Sequence, residues 1–242
     1  MSKTVLITGA SGAIGSMVAY KAALKKYNIV MAYHTRGDSC RKFATQLEQL
    51  GARVLCVGAD ITNTAHRKAL VQSAVESFGG IDVLINNAGA ALYGLFQQQS
   101  EAEIERIIST DLTAQMLLTK EVLPIMLARH SGSVVNVSSV WGIAGGSGEV
   151  AYSAAKAGLI GFTKALAKEA AGGGVRVNAV APGCVSSRMM EHFTEAELAD
   201  LCAHIPLGRQ GDALEIAESI WFMAEHTYTT GQVLSPNGGM VI

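Results

Sequence analysis

Seven short runs of apolar residues recur along the chain, and more polar stretches separate them. The runs are rich in β-branched side chains, a pattern typical of strands that are buried on both faces of a parallel sheet. They fall at residues 5–7, 29–33, 54–57, 83–85, 134–137, 175–180 and 233–234.

Longer segments with apolar residues at helical spacing lie between these runs. Strands that alternate with helices favour an α/β fold of the doubly wound Rossmann type, with a seven-stranded parallel sheet, helices on both faces and right-handed connections. Such sheets bind ligands beyond the carboxyl ends of their strands. The segments predict helices at 14–26, 40–50, 65–78, 104–128, 150–170 and 213–224.

The domain organisation is expected to be simple. The 242 residues contain no internal repeat or linker, which predicts one domain over 1–242. Pro182 and Gly183 follow the sixth predicted strand, and a helical stretch at 194–204 comes soon after. An insertion near 186–210 is a natural place for a small substrate lid, and an ordinary surface helix explains the same composition.

Composition narrows the range of partners. Charged residues make up 16% of the chain and the net charge is -1, so neither nucleic acid nor an anionic membrane surface is expected as a partner. The N-terminus lacks the pattern of a signal peptide, and no apolar run is long enough to span a bilayer. Neither metal-ligand spacing nor a disulfide framework connects the four cysteines, so no metal site and a cytoplasmic location are expected; they are Cys40, Cys56, Cys184 and Cys202.

A glycine-rich turn joins the first predicted strand to the first predicted helix. Glycines permit a tight turn and let backbone amides approach a pyrophosphate, which the positive end of the helix also favours. A methyltransferase of similar architecture would bind an adenosyl group at the same place, without the tyrosine and lysine described below. The candidate cofactor-binding residues of the turn are Gly9, Ser11, Gly12, Ala13, Ile14 and Gly15.

The ends of the second and third predicted strands bear on the choice of cofactor. The second strand ends without a carboxylate for a ribose 2′-hydroxyl, whereas Arg36 would pair with a 2′-phosphate. This favours NADPH over NADH, although Asp38 would compete for this site if its loop folds back. Asp60 would hydrogen-bond the adenine amino group or cap the helix that begins near Asn63. His34 is interpreted as an ordinary loop histidine.

Tyr152 and Lys156 lie four residues apart on a predicted helix and therefore share one face. Such pairs are common on solvated faces, but this helix is otherwise apolar, and a buried lysine without a function would be costly. A neighbouring ammonium favours the phenolate and pulls down the pKa of a tyrosine, ordinarily about 10. The pair is suited to acid/base chemistry, and the Ser139 hydroxyl would hold a carbonyl oxygen beside the phenol, as ketone reduction requires.

Taken in order, these motifs resemble the short-chain dehydrogenase/reductase family over essentially the whole chain. The residues that match are Thr8-Gly9 with Gly15, Asp60-Ile61, Asn86-Asn87-Ala88-Gly89, Ser139, Tyr152 with Lys156, and Pro182-Gly183.

The resemblance implies a role for each matching residue. Tyr152 would be the general acid, Ser139 would orient the carbonyl oxygen, and Lys156 would hold the nicotinamide ribose while lowering the pKa of Tyr152. The family is usually tetrameric, which implies a homotetramer with the helix of Tyr152 in one interface. The further cofactor contacts that it implies are Ile61, Asn87, Ala88, Gly89, Pro182, Gly183, Val185 and Ser187.

Two positions depart from the family pattern. The second glycine of the turn is Gly12, whereas this branch of the family usually has it one position later, at Ala13. Asp111 replaces an asparagine that is thought to hold a water relaying protons to the lysine. An ionised Asp111 near Lys156 would stabilise the ammonium and oppose its effect on Tyr152. Either the proton relay is altered, or Asp111 is protonated, or activity is low; the alternative interpretation is that Asp111 merely caps a helix segment.

The expected substrate is a ketone carried on a protein or a thioester. Segments 152–183 and 230–239 resemble 3-oxoacyl-acyl-carrier-protein reductases. Segments 93–97, 138–142, 149–150 and 205–209 are more similar to the elongation factor P 5-aminopentanone reductases, which also tend to lack the relay asparagine.

An aminopentanone group ends in an ammonium, which a carboxylate and an aromatic face would bind. Glu149 and Trp141 are the candidates, and their alternative interpretations are a helix-start carboxylate and a core or interface tryptophan. A function of another class also stays open: a non-catalytic NADP(H)-binding sensor or scaffold. The intact Ser139, Tyr152 and Lys156 argue against it, and the loss of the relay asparagine argues weakly for it.

Overall fold

Seven parallel strands form the centre of the molecule, whose computed structural model describes residues 2–186 and 194–242. Every pair of neighbouring strands in this sheet is parallel. All the predicted strands are present, and the predicted fold class is confirmed. The strands are β1 (Thr4–Thr8), β2 (Asn28–Tyr33), β3 (Arg53–Gly58), β4 (Val83–Asn86), β5 (Gly132–Val137), β6 (Val175–Val180) and β7 (Val233–Leu234).

The strand order creates a crevice at one edge of the sheet. The order is β3-β2-β1-β4-β5-β6-β7, so the chain first builds outward from β1 and then crosses to β4 on the other side of β1. The connections that leave β1 and β4 diverge, and doubly wound sheets bind ligands at this point. The crossing brings Gly9 and Asn87 together, although 78 positions separate them in sequence.

Helices cover both faces of the sheet. Those with buried residues in one core cluster are α1, α2 and α9, and those in the other are α3, α5 and α7. In chain order, the helices of the described residues are α1 (Ala13–Leu24), α2 (Gly37–Gln49), α3 (Thr64–Phe78), α4 (Glu101–Ile108), α5 (Ala114–Ala128), α6 (Trp141–Ala144), α7 (Val150–Ala170), α8 (Glu195–Ala203) and α9 (Ala213–Glu225).

Both faces of the central strands are buried, which explains the continuous apolar runs. In β1, Val5 and Ile7 belong to the cluster beneath α1 and α9, whereas Leu6 belongs to the cluster beneath α3 and α5. Side chains alternate between the two faces of a strand, so a strand between two helical layers needs apolar residues at every position.

The helix predicted at 104–128 is divided in the structure. It begins at Glu101, where Ser100 and Glu103 form a capping box, and a π-helical turn, Ser109–Thr113, separates α4 from α5. Apolar spacing continues on both sides of the turn, so periodicity alone does not reveal it. Turns of this kind occur often at functional sites, and here the turn carries Asp111, which is fully buried.

Several shorter features also differ from the predictions. Helix α2 begins at Gly37, earlier than predicted. The prediction began later because Gly37-Asp38-Ser39 has the composition of a loop. Helix α6 has four residues, too few for a periodic signal. The predicted lid contains α8, capped by Thr194, while residues 187–193 lie outside the described residues. Over the described ranges, no helix has the length and apolar character needed to cross a membrane.

Candidate active site

A cleft of about 1240 Å³ opens at the carboxyl edge of the sheet and brings most of the predicted site residues together. Two predicted residues are not in its lining: Gly15 is buried behind the glycine turn, and Ser187 lies outside the described residues. The predicted residues that line the cleft are Gly9, Ser11, Gly12, Ala13, Ile14, Arg36, Asp60, Ile61, Asn87, Ala88, Gly89, Asp111, Ser139, Trp141, Glu149, Tyr152, Lys156, Pro182, Gly183 and Val185.

The glycine turn after β1 requires glycine at two of its positions. Gly9 has a φ of +64°, a conformation that side chains disfavour. A Cβ on Gly15 would lie 2.4 Å from the Gly9 carbonyl oxygen, whereas a Cβ on Gly12 would meet the same oxygen only at 3.3 Å. The departure at Gly12 and Ala13 therefore leaves the two required glycines in place.

Exchange of these glycines for alanine is expected to have unequal effects. Gly15→Ala should lower the free energy of unfolding by about 1–3 kcal/mol, because the new methyl group overlaps backbone atoms. Gly12→Ala is the matched control, since Gly12 has an ordinary backbone conformation at the N-cap of α1, and it should cost only a few tenths of a kcal/mol. Denaturant unfolding compares the two variants, and equal stabilities would contradict this account of the turn.

Asn87 fixes the glycine turn against the segment that follows β4. Its Nδ2 donates to the carbonyl oxygens of Thr8 at 2.9 Å and Gly9 at 3.2 Å. The Thr8 hydroxyl accepts from the backbone amides of Asn87 and Ala88, both at 3.0 Å. The Asn87 side chain therefore shapes the cleft by holding its backbone in place.

Arg36 lines the cleft at the start of α2, and Asp38 does not compete with it. Asp38 Oδ1 lies 2.7 Å from Arg41 Nη2, and the Asp38 side chain is 90% exposed. The Arg41 guanidinium also donates to the Tyr33 hydroxyl at 2.9 Å. Asp38 is thus held away from the cleft by an arginine that does not line it.

Asp60 faces the cleft beyond β3 and does not cap α3. Its Oδ1 accepts from the Thr62 amide at 2.9 Å and the Thr62 hydroxyl at 2.7 Å, and Oδ2 lies 4.0 Å from His34 Nε2. Burial works to raise the pKa of Asp60, but the Thr62 hydrogen bonds and the neighbouring His34 outweigh it, so this pKa is lowered. The cap of α3 is the Asn63 side chain.

Lys156 is almost completely buried and has two oxygen partners. Its Nζ lies 3.0 Å from the Val137 carbonyl oxygen at the end of β5 and 3.0 Å from Asp111 Oδ1. The other oxygen of Asp111 accepts from the Ala90 amide at 2.9 Å. Asp111 is therefore neither a helix cap nor a bystander: the π-helical turn delivers its carboxylate to the ammonium of Lys156.

The carboxylate of Asp111 works to raise the pKa of Lys156 and that of Tyr152. Burial works to lower the pKa of Lys156, but Asp111 and Tyr152 outweigh it and the pKa is raised. The attraction between the Asp111 carboxylate and the Lys156 ammonium, whose Nζ lies 3.0 Å from Oδ1, is the largest influence that raises this pKa. Asp111 and Lys156 therefore form a buried ion pair of the kind whose disruption destabilises proteins strongly.

The net direction of the pKa shift predicted for Tyr152 is wrong. Burial is the largest influence and raises the pKa of this half-buried phenol. Lys156, whose Nζ lies 5.5 Å from the ring centroid, works to lower it as predicted, and so does a hydrogen bond with the Ser139 side chain. Asp111 and Glu149 raise it further, and the net pKa lies above the ordinary value. The phenol is therefore protonated at neutral pH.

Ser139 is buried at the end of β5, next to Tyr152. Its Oγ accepts from the Trp141 backbone amide at 3.2 Å. The neighbouring Ser138 hydroxyl donates to the Lys156 carbonyl oxygen at 2.9 Å, which ties α7 to β5. The Val140 amide donates to the Pro182 carbonyl oxygen at 2.8 Å, so the segment after β6 is anchored to the same strand end.

Trp141 and Glu149 also line the cleft, on either side of the loop that precedes α7. A Cβ on Gly146 would lie 2.9 Å from the Trp141 ring, and a Cβ on Gly148 would lie 2.9 Å from the Tyr93 ring. Two aromatic side chains thus pack against the loop that ends at Glu149, where α7 begins. Trp141 is half-buried and is not a core residue.

Several contributors to the site were not predicted. The Val137 carbonyl binds Lys156, yet a backbone carbonyl has no signature in the sequence. Gly142 packs against the backbone of Lys156, where a Cβ would lie 2.8 Å from its carbonyl carbon. Arg106 and Leu201 line the cleft from α4 and α8; their approach depends on helix packing, which spacing along the chain does not specify.

The cleft fits a nicotinamide dinucleotide. Gly9, Gly12 and Gly89 present bare backbone to it, and a Cβ on Gly89 would lie 2.6 Å from Asp111 Oδ1. The N-terminus of α1 supplies amides suited to a pyrophosphate. Ser139, Tyr152 and Lys156 line the same cleft, and a Cβ on Gly89 would lie 3.5 Å from Lys156 Nζ. This fold and site are those of an oxidoreductase that interconverts a carbonyl and an alcohol with a nicotinamide cofactor.

Comparison with known proteins gives the family. A model of the short chain dehydrogenase family matches residues 3–198. The chain belongs to the short-chain dehydrogenase family.

Similar proteins cover almost the whole chain. The uncharacterized oxidoreductase YmfI of Bacillus subtilis is 39% identical over 242 residues, which is 99% of either chain. The 3-oxoacyl-acyl-carrier-protein reductase FabG of Staphylococcus aureus is 35% identical over 99% of this chain and 98% of its own. A variant of the actinorhodin polyketide ketoreductase, solved with NADPH, is 31% identical with a TM-score of 0.94, over 99% of this chain and 97% of that one.

Proposed function

We propose that the protein is an NADPH-dependent ketone reductase of the 3-oxoacyl-acyl-carrier-protein reductase type, which forms a secondary alcohol. The observation that carries this proposal is that Ser139, Tyr152 and Lys156 line the same cleft as Arg36 and the glycine turn. Similarity to FabG and to a ketoreductase solved with NADPH supports it.

In this reaction, the reduced nicotinamide would supply the hydride. The Ser139 hydroxyl would hold the carbonyl oxygen of the substrate, and the Tyr152 phenol would donate its proton to that oxygen as the alcohol forms. The raised pKa of Tyr152 keeps this proton in place at neutral pH. The Lys156 ammonium, held by Val137 and Asp111, would stabilise the phenolate left after the transfer.

The proposed preference for NADPH depends on Arg36. Arg36→Gln is expected to raise the Kd for NADPH by about 10- to 100-fold and to leave NADH binding nearly unchanged, because only NADPH carries the 2′-phosphate for this guanidinium. Lys42→Gln is the matched control, since Lys42 is an exposed cation of the same helix that does not line the cleft. Fluorescence titration measures both affinities; an equal loss for the two cofactors would contradict the assignment.

A second candidate substrate is a ketone that carries an ammonium, such as the 5-aminopentanone group on elongation factor P. The observation that favours it is the position of Glu149 and Trp141, which line the cleft beside Tyr152. A carboxylate with an aromatic face is a good environment for an ammonium. A carrier-protein substrate would instead call for a basic surface.

The deciding experiment supplies NADPH and compares a β-ketoacyl thioester with an aminopentanone-modified protein or a small mimic. Turnover of the thioester alone would support the first candidate, and turnover of the amine alone would support the second. If neither substrate is turned over, the result would support the non-catalytic sensor or scaffold. Glu149→Gln is expected to lower kcat/KM for the amine about tenfold relative to the thioester, through loss of an ion pair. The ratio matters because Glu149 also affects the pKa of Tyr152, which changes both reactions alike. The homotetramer, the lid and the cytoplasmic location stay predictions.

A further inference from the structure

The fold brings together two cysteines that take no part in the proposed reaction. Cys40 lies near the start of α2 and is fully buried, whereas Cys56 lies on β3, the edge strand of the sheet, and is half-buried. Their Sγ atoms are 3.7 Å apart. A disulfide bond is about 2.05 Å long, so the two sulfurs would have to approach by about 1.7 Å for the bond to form.

The two thiols are not equivalent. The Cys40 thiol donates a hydrogen bond to Cys56 Sγ, which lowers the pKa of Cys56; burial opposes this effect and the nearby Arg41 cation adds to it. The same hydrogen bond, together with burial, raises the pKa of Cys40. Cys56 is half-buried and accepts this hydrogen bond, whereas Cys40 is fully buried, so Cys56 is the thiol that an oxidant reaches first and Cys40 lies behind it as a resolving thiol.

We propose that Cys40 and Cys56 form a reversible oxidation site that takes a hydroperoxide as its oxidant. The Cys56 thiolate attacks the terminal peroxide oxygen, so that an S–O bond forms, the O–O bond breaks and the leaving oxygen departs as water or an alcohol after protonation. Cys40 sulfur then attacks the sulfenic sulfur of Cys56. The S–S bond forms, the S–O bond breaks, and the hydroxide leaves as water with the proton of Cys40. The two thiols lose two electrons, and the peroxide gains them.

The disulfide bond would disturb the part of the cleft that Arg36 lines. The consequence for cofactor binding rests on the proposed function. The Cys40 amide donates to the Arg36 carbonyl oxygen at 3.0 Å, and Arg36 and Ser39 line the cleft. Drawing Cys40 toward β3 would therefore pull on the turn that presents Arg36 to a 2′-phosphate. NADPH affinity is expected to fall about tenfold in the oxidised protein.

The first test is chemical and needs no cofactor. The reduced full-length protein is treated with stoichiometric hydrogen peroxide and digested with trypsin without reduction. Mass spectrometry should find peptide 37–41 joined to peptide 54–67, with the bond lost after dithiothreitol. The link should persist in Cys202→Ser and vanish in Cys56→Ser. No link between these peptides, or oxidation of Cys56 only to the sulfinic acid, would overturn the proposal.

The second test compares NADPH affinity before and after peroxide in the wild type and in Cys56→Ser. A tenfold loss that is confined to the wild type and reversed by dithiothreitol supports the coupling. A disulfide that leaves the affinity unchanged overturns it. If the reduced wild type binds no NADPH at all, the proposed cofactor is wrong, and the result of the cross-linking test still stands.

Discussion

Replacement of Tyr152 by phenylalanine should reduce kcat for ketone reduction by about 10³-fold, the scale of a lost general acid. The affinity for NADPH should stay nearly the same. Phenylalanine keeps the ring near Lys156 and removes only the hydroxyl, which would contact the substrate. The buried pair of Lys156 and Asp111 keeps both of its members. Stopped-flow measurement of NADPH oxidation separates cofactor binding from hydride transfer.

Tyr228→Phe is the matched control for this substitution. Tyr228 is 98% exposed and does not line the cleft, so loss of its hydroxyl should change neither kcat nor affinity. Retained turnover in Tyr152→Phe would remove Tyr152 from its proposed role. A large loss of NADPH affinity in the same variant would show that the hydroxyl shapes the cofactor site and is not simply a proton donor.

The sequence predicts the fold well because burial on both faces imposes a clear pattern. The strand at 175–180 and the helix at 150–170 have the predicted bounds, since β-branched runs and a long apolar helix are strong local signals. The π-helical turn at Ser109–Thr113 was not predicted. It interrupts a segment whose apolar spacing is helical throughout, and packing against α7 accounts for it better than local preference: a Cβ on Gly158 would lie 2.8 Å from the Leu112 side chain.

The sequence identifies the candidate site through motifs in a fixed order, because each motif follows a strand and the strand ends meet at one edge. It does not give the electrostatics. Whether Lys156 lowers the pKa of Tyr152 overall depends on burial and on the distances to Asp111 and Glu149, which only the folded chain sets. The resemblance does indicate that Asp111 lies near Lys156, but the 3.0 Å separation of the two groups is set by the packing of the π-helical turn against α7.

Asp111→Asn is expected to shift the pH profile of ketone reduction and to destabilise the protein. The carboxylate raises the pKa of Tyr152, so its removal lowers that pKa. Reduction needs the protonated phenol, and therefore the basic limb of the kcat profile should move to lower pH. Oxidation of the alcohol needs the phenolate, so its acidic limb should move to lower pH as well, and oxidation near neutrality should become faster.

The stability effect has a separate cause. Without Asp111, the ammonium of Lys156 stays buried and loses its counter-charge, which is expected to cost about 3 kcal/mol and to lower Tm by roughly 6–12 °C. Glu149→Gln is the control: Glu149 also raises the pKa of Tyr152, so its removal should shift the same limb, while Lys156 keeps its buried counter-charge. If the basic limb of the kcat profile does not move in Asp111→Asn, then Tyr152 is not the titrating acid or Asp111 carries no charge. A shifted limb with unchanged Tm would mean that Lys156 finds another partner, and the ion pair would then act on the chemistry alone.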